Sequence, residues 1–140
     1  MTKVLGVAMI VLALVLAIAP VFTDCQSQGK SLTTAEGKTV AMKCHWTGVA
    51  EIAAAVPLGL AGIFALIGRR RETKRFAAIV GAVSGVLAIL FATSLIGTCM
   101  SASMYCNVAM KPIILAAGIL AIVVSVGLFF AARETVPPAA

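Results

Sequence analysis

Side chains that ordinarily do chemistry are scarce in this 140-residue chain, which has one histidine, one tryptophan, one tyrosine and five acidic residues. With His45 alone, no multi-histidine metal site can be built within one copy, and a zinc hydrolase is excluded unless subunits share its ligands. No Cys-x-x-Cys occurs, so the usual cue for an exchanging, low-pKa thiol is missing. Charged residues make up only 11% of the chain, and no polar stretch is long enough for a second domain. Basic residues carry the chain to a net charge of +6, but they are not interleaved with aromatics. Nucleic acid is therefore a poor partner, and anionic lipid headgroups account for the charge.

What the chain does have is apolar length. Hydrophobic residues reach 61%, against roughly 45–50% in soluble domains. They fall into four runs, Val4–Phe22, Thr47–Gly68, Phe76–Thr98 and Pro112–Ala132. Each approximates the roughly 20 residues a helix needs to cross about 30 Å of hydrocarbon. The expected fold is all-α: a single four-helix transmembrane domain over residues 1–140. Orientation follows from the loop Arg69-Arg70-Arg71-Glu72-Thr73-Lys74-Arg75, which carries five positives in seven residues. Such loops stay on the cytoplasmic side. Lys3 and Arg133 join it there, both termini are then cytoplasmic, and the four cysteines face outward. A competing reading makes the first run a signal peptide with Lys3 at its basic end and Ala17-Ile18-Ala19 as the cleavage site, although Pro20 fits poorly after that cut. The tail from Glu134 to Ala140 reads as a frayed end.

Gly81 and Gly85 form a GxxxG pattern in the third run. It suits either a seam inside the bundle, the commoner case, or a homo-oligomer interface. Pro57 predicts a kink or a loosened turn within the second helix, whereas Pro112 sits where a helix starts and its missing N–H costs nothing.

The outer loops hold the remaining signals. Cys25 and Cys44 flank the first loop, with Gly29 and Gly37 as its turn residues, and the stretch from Lys38 to Trp46 is compatible with a short strand or hairpin. Cys99 and Cys106 bracket the start of the second. An even cysteine set in an oxidising compartment points to disulfides. Cys25–Cys44 and Cys99–Cys106 are the expected pairs, each worth roughly 2.5–3.5 kcal/mol in the chain-entropy account, with cross-pairing between loops open. Met42, Met100 and Met104 add thioethers to the thiols and His45, a donor set that copper(I) favours; methionine is equally an apolar filler. No cofactor is implied.

Glu51 is the one ionisable residue deep in an apolar run, expected about one turn into the second helix. Such a group usually faces a partner or water. Thr47 is the expected cap of that helix, and the helix dipole favours Glu51 near its start. Alternatively, His45 and Glu51 form a proton-handling or ligand-binding pair beneath Trp46, an indole suited to the interface.

Two resemblances follow. Four membrane helices with a cysteine pair in each outer loop resemble the plan of the quinone-coupled disulfide-generating proteins and the vitamin K epoxide reductases. Those families carry the Cys-x-x-Cys that is missing here, so no catalytic residue is carried over. The string Met42-Lys43-Cys44-His45-Trp46-Thr47-Gly48-Val49-Ala50-Glu51 resembles that of a family of uncharacterised prokaryotic four-helix membrane proteins, a domain of unknown function. That resemblance implies the fold and draws attention to Cys44, His45, Trp46 and Glu51 without giving them a task. The leading expectation is a small structural or accessory subunit of a larger complex in the cell membrane, such as a transporter. A membrane thiol–disulfide oxidoreductase and a copper-handling protein are the alternatives.

Overall fold

The structure, a computed structural model, describes residues 1–134. The expected frayed end lies, from Thr135 onward, outside them. Four helices dominate: α1 Thr2–Thr23, α2 Lys43–Ile67, α3 Arg71–Leu95 and α4 Cys106–Glu134. Each is long and apolar enough to cross a membrane. The expected runs fall inside these helices apart from their last few residues, but α2, α3 and α4 begin four to six residues earlier than apolarity alone marks. Helices continue through polar interfacial residues, where hydropathy no longer distinguishes helix from loop.

The packing is inverted relative to a soluble bundle. Small residues such as Ala13, Ala54, Ala61, Ala88, Ala92 and Ala121 fill the interior, while Val7, Leu14, Ile63, Ile79, Leu120 and Phe130 point outward. Water would penalise so much exposed apolar surface, whereas hydrocarbon does not. The chain is accordingly an integral membrane protein.

Small residues let the helices approach. The main pairings are α1 with α2 and α3 with α4. A Cβ on Gly62 would meet Ile10 Cγ1 at 2.8 Å and the Gly6 carbonyl oxygen at 2.9 Å. On the other seam a Cβ on Gly85 would lie 2.8 Å from the Gly118 carbonyl oxygen, while Gly81 closes on Met9 and Ser125. The GxxxG pattern is thus used inside the bundle. Gly85→Val is expected to force α3 and α4 apart and cost about 1–3 kcal/mol, read as a lower unfolding midpoint in detergent; an unchanged midpoint would show that the seam is looser than described.

α2 runs through Pro57 without interruption. Two helical segments depart from α geometry, both near the cysteines: Phe91–Leu95 at the end of α3 and Cys106–Met110 at the start of α4 are single π turns. Pro112 has no N–H to offer the Val108 carbonyl, and the backbone just before it takes the wider pattern, with Lys111 N–H bonding to Cys106 O. Pro112 is thus the second residue of the α-helical part Lys111–Glu134, as expected of a proline at a helix start, with the π turn added ahead of it. The π turn of α3 ends at Gly97, whose φ of +75° suits glycine and whose N–H bonds to Phe91 O at 3.0 Å.

At one end of the bundle lie the basic loop, the start of α1 and the last turns of α4, joined by Lys74 Nζ donating to Thr2 Oγ1 at 3.4 Å and by Arg75 stacking on Phe129. The two longer loops occupy the other end. The first carries a two-stranded antiparallel hairpin, β1 Leu32–Thr33 and β2 Thr39–Val40, with Leu32 opposite Val40. The strand expected within 38–46 is thus confined to Thr39–Val40, because helix α2 already begins at Lys43.

Candidate functional site

Helix ends bring the four cysteines together. Cys25 follows the last turn of α1, Cys44 is the second residue of α2, Cys99 lies just past α3, and Cys106 opens α4. In an antiparallel bundle those four ends share one plane, so side chains distant in sequence converge. Their four Sγ atoms all lie within 4.8 Å of one another. Cys25 Sγ is 3.4 Å from Cys106 Sγ and 3.7 Å from Cys99 Sγ. All four are free thiols; Cys25, Cys44 and Cys106 are buried, and Cys99 is half-buried.

The loop-tying disulfides expected from sequence find no support at these distances. Cys25 meets Cys44 of its own loop as well as both cysteines of the second, its separations of 3.4 and 3.7 Å from Cys106 and Cys99 are far from the roughly 2.05 Å of an S–S bond, and all four stand as free thiols. Treating each loop as its own ring overlooked that loop ends in a bundle meet their neighbours' ends.

The surrounding hydrogen bonds fix the four positions. Thr47 Oγ1 donates to Gly97 O at 2.6 Å and to Lys43 O at 3.3 Å, tying the first turns of α2 to the end of α3. Thr47 is therefore a bridge between helices and not the cap expected of it, since α2 starts four residues earlier. Asn107 Nδ2 donates to Cys99 O at 2.5 Å and to Ser101 O at 2.8 Å, and its Oδ1 accepts from Thr98 Oγ1. That network folds the segment around Cys99 back on the helix bearing Cys106.

Beside Cys25, Asp24 Oδ1 accepts from the Ser27 N–H at 2.7 Å, and Asp24 Oδ2 lies 3.1 Å from His45 Nδ1. Burial opposes ionisation of Asp24, but the His45 and Ser27 hydrogen bonds outweigh it and hold the carboxyl below its ordinary range. Burial first, and then hydrogen bonding among Cys44, Cys106 and Cys99, push the Cys25 thiol well above its usual range. Without a cation Cys25 thus keeps its proton.

The residues singled out from sequence separate. Cys44 joins the cluster, and His45 pairs with Asp24. Trp46 is exposed, edge-on to His45 at 5.8 Å between ring centroids. Glu51 is fully buried with neither carboxylate oxygen hydrogen-bonded. His45 and Glu51 are six residues apart on α2, which turns them roughly 120° away from each other, so the structure does not unite them. Glu51 instead follows the buried face of Cys44 and Thr47. Among the methionines, Met42 and Met104 pack on the core, while Met100 is fully exposed.

Sequence reasoning missed Asp24 and Asn107. An acid directly preceding a cysteine at a helix end was the available signal for the first; nothing in the sequence distinguishes the second.

Such an arrangement has two chemical capacities. A tetrahedral ion bound by thiolates at about 2.3 Å puts its sulfurs roughly 3.8 Å apart, and the distances of 3.4 and 3.7 Å stand close to that edge. Cys44 and Cys106 sit at helix N-termini, so two of the four positions are set by helix starts. The same proximity would let a small rotation form a cross-loop disulfide. Comparison with curated proteins and with solved structures finds no match. A family model does match residues 4–131, nearly the whole chain. The chain belongs to that family, the domain of unknown function DUF4418.

Proposed function

We propose that this protein is a multi-pass protein of the cell membrane that holds one thiophilic metal ion, with Zn2+ the best geometric match, at the extracytoplasmic end of its bundle. One observation carries the reading: four free thiols from four helix ends, all with Sγ atoms within 4.8 Å. Apolar packing alone gives no reason for four cysteines to converge there. A soft ion does, since it replaces four thiol protons and joins four helix ends at once. Orientation rests on the basic loop at the opposite end.

The expectation of an accessory subunit accounts for the apolar outer faces and leaves the cluster without a task. The copper reading drew on the thiols, His45 and three methionines together; two of those methionines pack on the core and His45 pairs with Asp24, which leaves the thiols as the shared donor set. The redox reading has one observation of its own, the 3.4 Å approach of Cys25 to Cys106. Metal analysis combined with thiol counting on protein purified in detergent separates the two. About one zinc per chain, with four thiols released on chelation, supports the metal site; no metal and a Cys25–Cys106 disulfide supports thiol exchange.

A further inference from the structure

Three of the four cysteines are buried, which leaves the fourth as the one most open to an arriving ion. Cys99 alone is half-exposed, and it lines an open groove of about 470 Å³ together with Thr98, Met100, Asn107 and Lys111. That volume suits a small molecule and not a protein face. The groove offers one soft thiol, the fully exposed thioether of Met100 and a single cation, with no acidic residue in its wall. The Lys111 ammonium has no hydrogen-bond or ion-pair partner among the described residues, and the residue as a whole is half-buried. An unpaired ammonium at the wall of a groove with no acidic residue favours an anionic visitor.

Resting on the metal reading above, we propose that this groove receives the metal as a complex with a low-molecular-weight thiol bearing carboxylates, and that Cys99 is the ligand through which the ion is exchanged. Lys111 holds a carboxylate of the incoming complex while Met100 presents a soft donor beside it. The Cys99 thiol then replaces the small thiolate on the metal: a Cys99 S–metal bond forms, the incoming S–metal bond breaks, and the Cys99 proton leaves on the departing thiol. No oxidation state changes. Cys25, Cys44 and Cys106 take the remaining positions by the same exchange.

The test compares zinc transfer to the full chain in detergent from its glutathione complex and from its 2-mercaptoethanol complex, at matched free zinc. Wild type is expected to take zinc faster from the anionic complex by roughly three- to fivefold, the size of one partly exposed ion pair. Lys111→Gln should erase that preference while keeping the equilibrium zinc content and the unfolding midpoint; Lys111→Arg should keep the preference, and Lys30→Gln, at an exposed turn of the other loop, should leave it unaltered. A Lys111→Gln chain that retains the preference overturns this assignment and leaves the metal site standing. A wild-type chain that binds no zinc at equilibrium overturns both.

Discussion

Replacing Cys25 by serine is expected to abolish tight zinc binding and, with it, the stabilisation that zinc would confer. Cys25 is the hub of the cluster, within 3.4 Å of Cys106 and 3.7 Å of Cys99. Serine at that position leaves three sulfurs and a hard, protonated oxygen where a soft ion needs thiolate. A ligand bound only by the folded state adds about 4 kcal/mol at a thousand times its Kd. The wild-type chain should therefore gain about that much at saturating zinc, and Cys25→Ser less than about 1 kcal/mol on the same scale. The measurement is the unfolding midpoint in detergent with and without zinc, under reducing conditions that keep every thiol free. Met104→Leu serves as the comparison, because Met104 packs against the core and a volume-conserving exchange leaves the ligands in place. Equal zinc stabilisation of wild type and Cys25→Ser would show that the thiols do not hold the ion.

Glu51→Leu is expected to stabilise the apo protein by about 1–3 kcal/mol, the cost of burying a polar group without its hydrogen bonds. Glu51 is fully buried and both carboxylate oxygens lack partners. Leucine fills a similar volume and brings no polar atom into the interior. Seven residues along the same helix, at 1.5 Å each, separate Glu51 from Cys44 by roughly 10 Å, so zinc affinity should be unchanged. Unfolding by a denaturing detergent, measured for wild type, Glu51→Leu and Glu51→Gln, reads the effect. A destabilised Glu51→Leu chain would mean that the carboxyl serves a polar partner inside the bundle and that the orphaned description is mistaken.

The four helices were legible because membrane length and hydropathy are local properties of sequence. Their exact starts were not, because Lys43, Arg71 and Cys106 lie in polar stretches where a helix persists through backbone hydrogen bonding. GxxxG told of a close approach, and the internal seam that Gly85 makes against Gly118 required the third and fourth helices to be seen together.

The site was half-legible for a related reason. Cys25, Cys44 and Cys99 could be placed at helix ends from sequence, whereas Cys106 joins them only because the fourth helix starts six residues before its apolar run, and four helix ends of an antiparallel bundle must lie together. Reading each loop as a closed ring paired Cys25 with Cys44 and Cys99 with Cys106, when the shared plane brings all four into one cluster. His45 was paired with Glu51 through proximity in sequence, yet the helical turn between them sends His45 toward Asp24. The π turns at Phe91–Leu95 and Cys106–Met110 had no sequence signal beyond Pro112.

Zinc K-edge X-ray absorption on the zinc-loaded chain tests the central claim most directly. The account predicts a first shell of four sulfurs at about 2.3 Å with no oxygen or nitrogen scatterer. A shell of light atoms near 2.0 Å, or fewer than three sulfurs, would contradict it and return the four thiols to disulfide chemistry.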